Sequence, residues 1–139
     1  MIDHRDTNLR QELRRDEGVR KTPYTDTVGK LTIGVGRNLD DVGLSQDEID
    51  YLLGNDISRA LTDCRMAFSW FGRLSDERQR VIANMVFNLG LPKYRKFQKH
   101  IAAIESGNWE IAAMEMLDSK WSRQVGERSK RLAQRMRAG

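Results

Sequence analysis

Apolar positions near the amino terminus predict a helix. Leu9 and Leu13 lie four residues apart within residues 6–17, and Gly18 follows as a residue that commonly ends helices in the left-handed conformation. Glu17 continues the stripe that the two leucines define. We therefore expect Glu17 to be partly desolvated at the negative end of the helix dipole, and both effects favour a protonated carboxyl group.

The next segment changes from helical spacing to strict alternation. Residues 24–29 are rich in turn-forming types, and residues 30–35 place three aliphatic side chains on one face of a predicted strand. Thr32 falls on the opposite face. The sequence thus predicts a β-hairpin directly after the first helix. The three aliphatic side chains are Leu31, Ile33 and Val35.

The rest of the chain is predicted to be helical. Ser45 and Glu48 form a capping-box pattern in front of an apolar stripe that reaches Cys64. Ser75 is placed to cap a helix whose section 81–89 is apolar nearly all round, as expected of a helix buried on every side. Together with the hairpin, these helices predict an α+β, mostly helical fold.

Three polar side chains fall at these element boundaries with a spacing suited to hydrolysis. Eight residues separate Glu17 from Asp26, and five separate Asp26 from Thr32. A carboxyl group at a helix end can donate a proton, while a carboxylate in a turn and a hydroxyl on the next strand can position a water molecule. Each residue also has an ordinary explanation: a solvated helix-terminal acid, a turn former and a β-forming threonine.

The surrounding sequence decides between these explanations. Residues 17–36, EGVRKTPYTDTVGKLTIGVG, resemble the catalytic segment of the phage lysozymes, or endolysins, of glycoside hydrolase family 24. The likeness continues through NMVFNLG at residues 84–90, SKW at 119–121 and RSKR at 128–131. It therefore spans nearly the whole chain, in the same order as in that family.

This resemblance implies an architecture as well as an activity. We expect one domain over residues 1–139, with a small β lobe at about 18–44, a helical lobe at about 45–139 and a cleft between them. At 139 residues the chain is long enough to form a core without disulfides. The expected substrate is peptidoglycan, cleaved by a monomer at the β-1,4 bond between N-acetylmuramic acid and N-acetylglucosamine.

The resemblance also implies roles for individual residues. Glu17 would protonate the leaving oxygen, while Asp26 and Thr32 would hold and activate the water, in a single displacement that inverts the sugar. Leu39 and Phe87 match sugar-contacting positions of the family. Two further substrate-contact candidates occupy positions that hold other polar residues there: His100 and Glu115.

Two departures from the family pattern affect these expectations. Arg37 stands where the T-even members have a histidine, so we expect an ion pair between the permanently charged Arg37 and Asp56. The connection from Arg37 to the next helix is also shorter than in those enzymes. The β lobe should therefore be reduced.

Positive charge is concentrated at the carboxyl terminus. The last twenty residues hold seven Lys or Arg and one Glu, a local charge of +6, whereas the whole chain carries +4. Such a segment predicts an anionic partner, and the alternative is a solvated helix face. Given the resemblance, we expect acidic envelope polymers and no nucleic acid. The seven basic residues are Lys120, Arg123, Arg128, Lys130, Arg131, Arg135 and Arg137.

The sequence contains no clear motif for a reactive cysteine, a nucleotide cofactor or a metal ion. Cys64 is the single cysteine and falls on an apolar helix face, so we expect a small buried hydrophobe. The glycine pair Gly34 and Gly36 lacks the third glycine of a dinucleotide fingerprint. Residues 38–43 begin like a calcium loop, but Val42 and Ile49 occupy positions where oxygen ligands belong. With two histidines and no ligand spacing, we expect no metal and no cofactor.

Two other functions remain as alternatives. One is a non-catalytic module with a lysozyme fold that binds envelope polymers or nucleic acid, which would not need Glu17, Asp26 and Thr32. The other is a lytic transglycosylase, which would not need Asp26 as a water-activating base. No apolar run suits a membrane span or signal segment, so we expect the protein to stay in the host bacterial cytoplasm until a holin releases it.

Overall fold

A computed structural model describes the whole chain, Met1–Gly139. Its contacts divide the chain into two compact units, Met1–Tyr51 and Leu52–Gly139. The predicted α+β, mostly helical class is confirmed, whereas the prediction of one two-lobed domain stays a prediction. The elements are α1 (Thr7–Glu17), β1 (Arg20–Thr25), β2 (Leu31–Gly34), β3 (Arg37–Asn38), α2 (Gln46–Ala67), a 3-10 helix (Phe71–Arg73), α3 (Asp76–Leu89), α4 (Leu91–Tyr94), α5 (Gln98–Glu105), α6 (Trp109–Leu117), α7 (Lys120–Val125) and α8 (Glu127–Ala138).

Helix α1 forms where the sequence predicts it. The Asp6 carboxylate accepts a hydrogen bond from the Leu9 amide at 2.8 Å, and Gly18 ends the helix with a φ of 77°. No residue of α1 is buried, and Glu17 is exposed. The expected desolvation of Glu17 is therefore wrong, because two leucines in an otherwise polar helix make too narrow a stripe to bury it.

The predicted hairpin is present as part of a three-stranded antiparallel sheet of order β1-β2-β3. Tyr24 of β1 pairs with Thr32 of β2, and the register shifts between Arg20 and Tyr24. Pro23 lies in that irregular stretch and has no amide hydrogen to donate. An irregularity at a proline is tolerated here because β1 is an edge strand.

The buried side chain of β2 lies on the face opposite the three aliphatic side chains. Thr32 is only 3% exposed and is the single buried residue of the unit Met1–Tyr51, whereas Leu31 and Val35 are exposed. Val35 lies in the turn between β2 and β3, because β2 ends at Gly34. The two-residue strand β3 escaped prediction since it is too short to show alternation.

Helix α2 begins with the predicted capping box. The Ser45 hydroxyl accepts from the Glu48 amide at 3.2 Å, and the Glu48 carboxylate accepts from the Ser45 amide at 2.8 Å. Along the apolar stripe only Ala60 and Cys64 are buried. Burial raises the pKa of the Cys64 thiol to about 11, as expected of a structural cysteine.

Helix α3 is capped by Ser75, whose hydroxyl accepts from the Arg78 amide at 3.2 Å. The prediction that α3 is buried on every side is wrong. Phe87 is 46% exposed, and Asn88 is exposed too. One face of the helix is therefore open to solvent, while the opposite face enters the core. Its buried residues are Val81, Ile82, Met85 and Val86.

The unit Leu52–Gly139 is organised around an apolar core to which most of its helices contribute. Helix α3 packs against α4 and α8, and α6 packs against α5 and α8. Arg78 links α3 to the end of α8, since its guanidinium donates to the carbonyls of Met136 and Arg137 at 2.8 and 3.1 Å. No helix of the protein combines the length and the apolar character that crossing a bilayer requires.

Candidate active site

Glu17 lies against the turn that joins β2 to β3. A methyl group added at Gly36 would come within 2.8 Å of the Glu17 Oε2 atom, and Gly36 has a φ of 68°. A residue with a side chain would therefore be strained at this position and would also displace the carboxylate. The absence of a side chain at Gly36 allows the end of α1 and the sheet to approach each other here.

Asp26 is held in its turn by backbone amides. Its Oδ1 atom accepts from the amides of Val28 and Lys30 at 3.0 and 2.8 Å. The Asp26 amide in turn donates to the Lys30 carbonyl at 2.9 Å. These bonds are those of an ordinary turn-forming aspartate, yet no hydrogen bond of the protein involves Oδ2. That oxygen is free to accept a hydrogen bond from a ligand or water.

Thr32 is tied to the same residue as Asp26. Its hydroxyl donates to the Lys30 carbonyl at 2.9 Å, so the backbone of Lys30 anchors both side chains. The Thr32 oxygen keeps its lone pairs as acceptors. Asp26 and Thr32 are thus both bonded to the backbone of Lys30, an anchor that the sequence analysis had not identified.

The loop after β3 supports this segment. The Leu39 amide donates to the Leu31 carbonyl at 2.7 Å, and the Leu31 amide donates to Asp40 Oδ2 at 2.7 Å. The Lys30 ammonium pairs with Asp41 at 3.1 Å. Leu39 is half-buried beside Thr32's own strand, and its predicted contact with substrate stays a prediction.

The predicted ion pair between Arg37 and Asp56 is wrong. Arg37 makes a two-pronged pair with Glu48, with N···O distances of 2.7 and 2.6 Å, and Asp56 pairs with Arg59 at 3.5 Å. Glu48 stands in the first turn of α2, next to the loop that Arg37 contacts through the Gly43 carbonyl. Asp56 lies eight residues further on, about 12 Å along the helix axis.

The ion pair lowers the pKa of Glu48 and raises the pKa of Arg37. The hydrogen bonds from Arg37 hold the pKa of Glu48 at about 2, with help from the Ser45 amide, and Glu48 raises the pKa of Arg37. Glu48 therefore caps α2 and fixes Arg37 with the same carboxylate. The sequence showed the cap but not the pair.

In the unit Leu52–Gly139, Phe87 lies in a groove of about 490 Å³ between α2 and α3. Asn84 and Arg128 line the same groove, and the Arg128 guanidinium donates to Asn84 Oδ1 at 3.0 and 2.7 Å. The exposed ring of Phe87 offers an apolar surface of the kind that sugar rings stack on. Its role in substrate binding stays a prediction.

His100 is placed where it cannot contact a substrate directly. The ring is fully buried, Nδ1 is 2.9 Å from the Ala112 carbonyl, and Nε2 is 2.9 Å from the Tyr94 hydroxyl. A carbonyl only accepts, so Nδ1 carries the hydrogen and the tyrosine donates to Nε2. Burial lowers the pKa of His100 to about 4. We therefore correct the expected substrate contact to a core role, because both ring nitrogens are already satisfied.

Glu115, the remaining substrate candidate, lies in a second groove of the unit Leu52–Gly139. It is half-buried there. Four lysines line the same groove, and the sequence analysis missed three of them, Lys93, Lys96 and Lys99. Their spacing of three residues was the available signal. The three lysines do not belong to one helix, because α4 ends before Lys96 and α5 begins after it. A search for a helical stripe therefore does not find them.

The basic carboxyl-terminal segment is less available than its charge suggests. Arg135 pairs with Glu77, Arg137 pairs with Glu110 at 2.7 Å and Lys130 pairs with Glu127 at 3.0 Å. Three of its seven cations thus have partners within the protein, and a fourth, Arg128, is held by Asn84. The structure gives no support to this segment as the site for an acidic polymer.

No group of three or more His, Cys, Asp or Glu side chains is arranged to hold a metal ion. The expectation of a metal-free, cofactor-free protein stays a prediction, and the candidate chemistry rests on carboxyl and hydroxyl groups. A small three-stranded antiparallel sheet and a mostly helical remainder define a lysozyme-like α+β fold.

Comparison with known proteins gives the family. The sequence model of the phage lysozyme family matches residues 14–138, and the chain belongs to that family. It is 29% and 26% identical to the Dictyostelium discoideum proteins named probable T4-type lysozyme 2 and 1, in each case over 91% of both chains. It is also 28% identical to the pre-baseplate central spike protein Gp5 of enterobacteria phage T4, over 94% of this chain and 28% of Gp5.

Proposed function

We propose that this protein hydrolyses the β-1,4 bond between N-acetylmuramic acid and N-acetylglucosamine in peptidoglycan. Membership of the phage lysozyme family supports the class of reaction. In the proposed mechanism Glu17 protonates the oxygen that leaves, while Asp26 and Thr32 position the attacking water. Asp26 draws a proton from that water as the bond to the sugar forms.

The observation that carries the proposal is the shared anchor of Asp26 and Thr32. The Lys30 amide donates to Asp26 Oδ1, and the Thr32 hydroxyl donates to the Lys30 carbonyl. Such fixed bonds hold an acceptor pair in one geometry before substrate arrives, which lowers the entropic cost of positioning a water. The unbonded Oδ2 of Asp26 is the atom that we assign to the water.

The substitution Asp26→Asn tests this assignment with little change in shape. An asparagine Oδ1 can still accept the two turn amides, but the amide group cannot take a proton from water. We expect the turn and the unfolding temperature to be retained and the rate of wall cleavage to fall by about two to four orders of magnitude. Thr32→Val, which removes one acceptor, should have a smaller effect. Wild-type activity in Asp26→Asn would refute the role.

The stereochemical course is tested separately. Nuclear magnetic resonance of the first product formed should show the α-anomer if water attacks in a single displacement. A β-anomer would indicate retention and a covalent intermediate. Mass spectrometry of the same products distinguishes hydrolysis, which adds water, from the transglycosylase reaction, which yields an anhydro sugar.

The non-catalytic alternative gains nothing from the structure. That alternative relied on a free basic terminus, and Arg135 and Arg137 are both engaged with carboxylates. It predicts wall binding without release of sugar ends. Detection of new reducing ends by the wild-type protein, absent with Asp26→Asn, would exclude it.

We also propose that the enzyme reaches the wall after a separate membrane lesion, as a holin would provide. The only cysteine, Cys64, is buried and unpaired, so the fold does not depend on an oxidising compartment. Expression alone should leave host cells intact for longer than expression together with a holin. Equal lysis in both cases would show that the protein has its own route out.

A further inference from the structure

The segment 38–43, which begins like a calcium loop in sequence, uses its oxygen-bearing side chains to hold the protein itself. Asn38 donates through its side-chain amide to Asp41 Oδ2 at 3.0 Å and accepts from the Asp41 backbone amide at 2.9 Å. Asp40 Oδ2 accepts from the Leu31 amide at 2.7 Å. The first of these residues closes the loop, and Asp40 joins the loop to strand β2.

Asp40 occupies the position of a missing strand carbonyl. The register of β2 and β3, continued by one residue, places Leu31 opposite Leu39. The Leu39 amide donates to the Leu31 carbonyl at 2.7 Å, as such a pair requires. The Leu31 amide, however, donates to the Asp40 carboxylate and not to the Leu39 carbonyl. Because a carboxylate is a stronger acceptor than a carbonyl, a charge-assisted bond completes the ladder here.

The amide that Asp40 holds belongs to the peptide group that anchors the two water-positioning candidates. The Leu31 nitrogen and the Lys30 carbonyl form one planar trans peptide group. That carbonyl accepts from the Thr32 hydroxyl and from the Asp26 amide, each at 2.9 Å. Since the hydrogen and the oxygen of a trans peptide point in opposite directions, Asp40 fixes one side of the group and the site residues bond to the other.

We propose that Asp40 is a positioning residue for Asp26 and Thr32 and acts through the peptide group between Lys30 and Leu31. This inference rests on the proposed function, because it concerns the geometry in which the site receives water. A bond on the amide side restricts rotation of the whole planar group. The carbonyl therefore keeps its direction, and the Thr32 hydroxyl keeps donating to it with its lone pairs directed elsewhere.

Two substitutions at Asp40 separate the hydrogen bond from the charge. Asp40→Ala removes the acceptor, and we expect the kcat of wall cleavage to fall about tenfold with little change in KM, because the placement of the water is disturbed and the sugar contacts are not. Asp40→Asn keeps an acceptor oxygen for the Leu31 amide, so it should recover most of the kcat. Equal losses in both variants would show that only the charge matters and would overturn the inference.

Asp47 provides the matched control. It is an exposed aspartate in the first turn of α2, within the same unit, and it takes part in no hydrogen bond or ion pair through its side chain. Asp47→Ala therefore removes the same side chain and the same charge without touching the peptide group. It should keep the wild-type kcat. A tenfold loss in this variant too would assign the effect to the charge of the unit and overturn the role of Asp40.

Amide hydrogen exchange, followed by nuclear magnetic resonance, tests the geometry without reference to activity. The Asp26 amide donates to the Lys30 carbonyl, so a loosened peptide group should expose it. We expect this amide to exchange about tenfold faster in Asp40→Ala than in the wild type, and at nearly the wild-type rate in Asp40→Asn.

The two measurements distinguish this inference from the proposed function. Unchanged exchange in Asp40→Ala would overturn the inference, and a lost activity of Asp26→Asn would show that the proposed function nevertheless stands. Faster exchange in Asp40→Ala, together with full activity of Asp26→Asn, would keep the link from Asp40 to the peptide group and refute the proposed role of Asp26. Faster exchange with a tenfold lower kcat, both restored in Asp40→Asn, is the result that the inference predicts.

Discussion

The two compact units hold their important side chains in different ways. In Met1–Tyr51 only Thr32 is buried, and Asp26, Thr32 and Arg37 are fixed by hydrogen bonds to nearby backbone or to Glu48. In Leu52–Gly139 the side chains are positioned by packing in an apolar core of helices, and even the polar ring of His100 is buried. Local bonds therefore position chemical groups in the first unit, whereas packing determines positions in the second.

This contrast predicts where substitutions act. A change in the first unit alters a few hydrogen bonds or one turn, so it should affect catalysis more than stability. A change in the core of the second unit leaves a cavity or an unsatisfied polar group, so it should affect stability more than catalysis. Substitutions in both units test this difference.

The largest stability effect should come from His100. In the folded protein its pKa is about 4, below the ordinary value of 6.5, because burial disfavours the charged ring. Between these two pH values the unfolded chain therefore binds a proton at His100 and the folded chain does not. Its contribution is fully present above pH 6.5 and is lost as the pH falls towards 4, by about 3 kcal/mol in total. Denaturant unfolding at a series of pH values measures this loss.

Substitution identifies the responsible ring. His100→Gln should be less stable at neutral pH, because it loses the bonds to Tyr94 and Ala112, and its stability should fall less between pH 6.5 and 4. The matched control is His4→Gln, a substitution of the other histidine, which is exposed. This variant should keep the wild-type pH dependence of stability. The account of the core histidine fails if both variants keep the full acid loss.

The next effect falls on activity. Gly36→Ala would place a methyl group 2.8 Å from Glu17 Oε2 and push the carboxylate aside. We expect wall cleavage to fall by about a hundredfold, the usual consequence of an ångström-scale misplacement of a catalytic group. The free energy of unfolding should fall by only about 1–2 kcal/mol, because alanine is strained at a positive φ.

Gly34 offers a closely matched control for this substitution. Its φ of 69° is almost the same as the 68° of Gly36, but a methyl group there would have no atom within 4 Å. Gly34→Ala should therefore lose similar stability and keep most of the activity. Equal activity losses in the two variants would mean that backbone strain, and not the position of Glu17, limits the reaction.

The smallest effect should come from the pair of Arg37 and Glu48. The pKa of Glu48 is lowered to about 2 by the hydrogen bonds from Arg37, so the pair contributes above the ordinary pKa of 4.5 and is lost as the pH falls to 2. Both side chains are partly exposed, so solvent weakens the pair. Glu48→Gln should lower the unfolding temperature slightly at pH 7 and not at pH 2. A large loss at pH 7 would show that this pair is a main support of the unit.

Features that depend on near neighbours in sequence were predictable. The caps at Ser45 and Ser75, the hairpin and the buried Cys64 follow from residues within one or two turns, and the catalytic candidates stood in a recognisable segment. Features that depend on packing were not predictable. The burial of His100, the choice of Glu48 as partner of Arg37 and the meeting of Lys120 with distant lysines all require the folded chain.

The most direct test of the central claim is the rate of wall cleavage by Glu17→Gln, measured together with its unfolding temperature. Glu17 is exposed at the end of α1, so the substitution should not change stability, yet removal of the proposed proton donor should slow cleavage by about two to four orders of magnitude. Glu12→Gln, at another exposed glutamate of α1, should behave as the wild type. Near-wild-type cleavage by Glu17→Gln, at any stability, would contradict the assignment of the general acid.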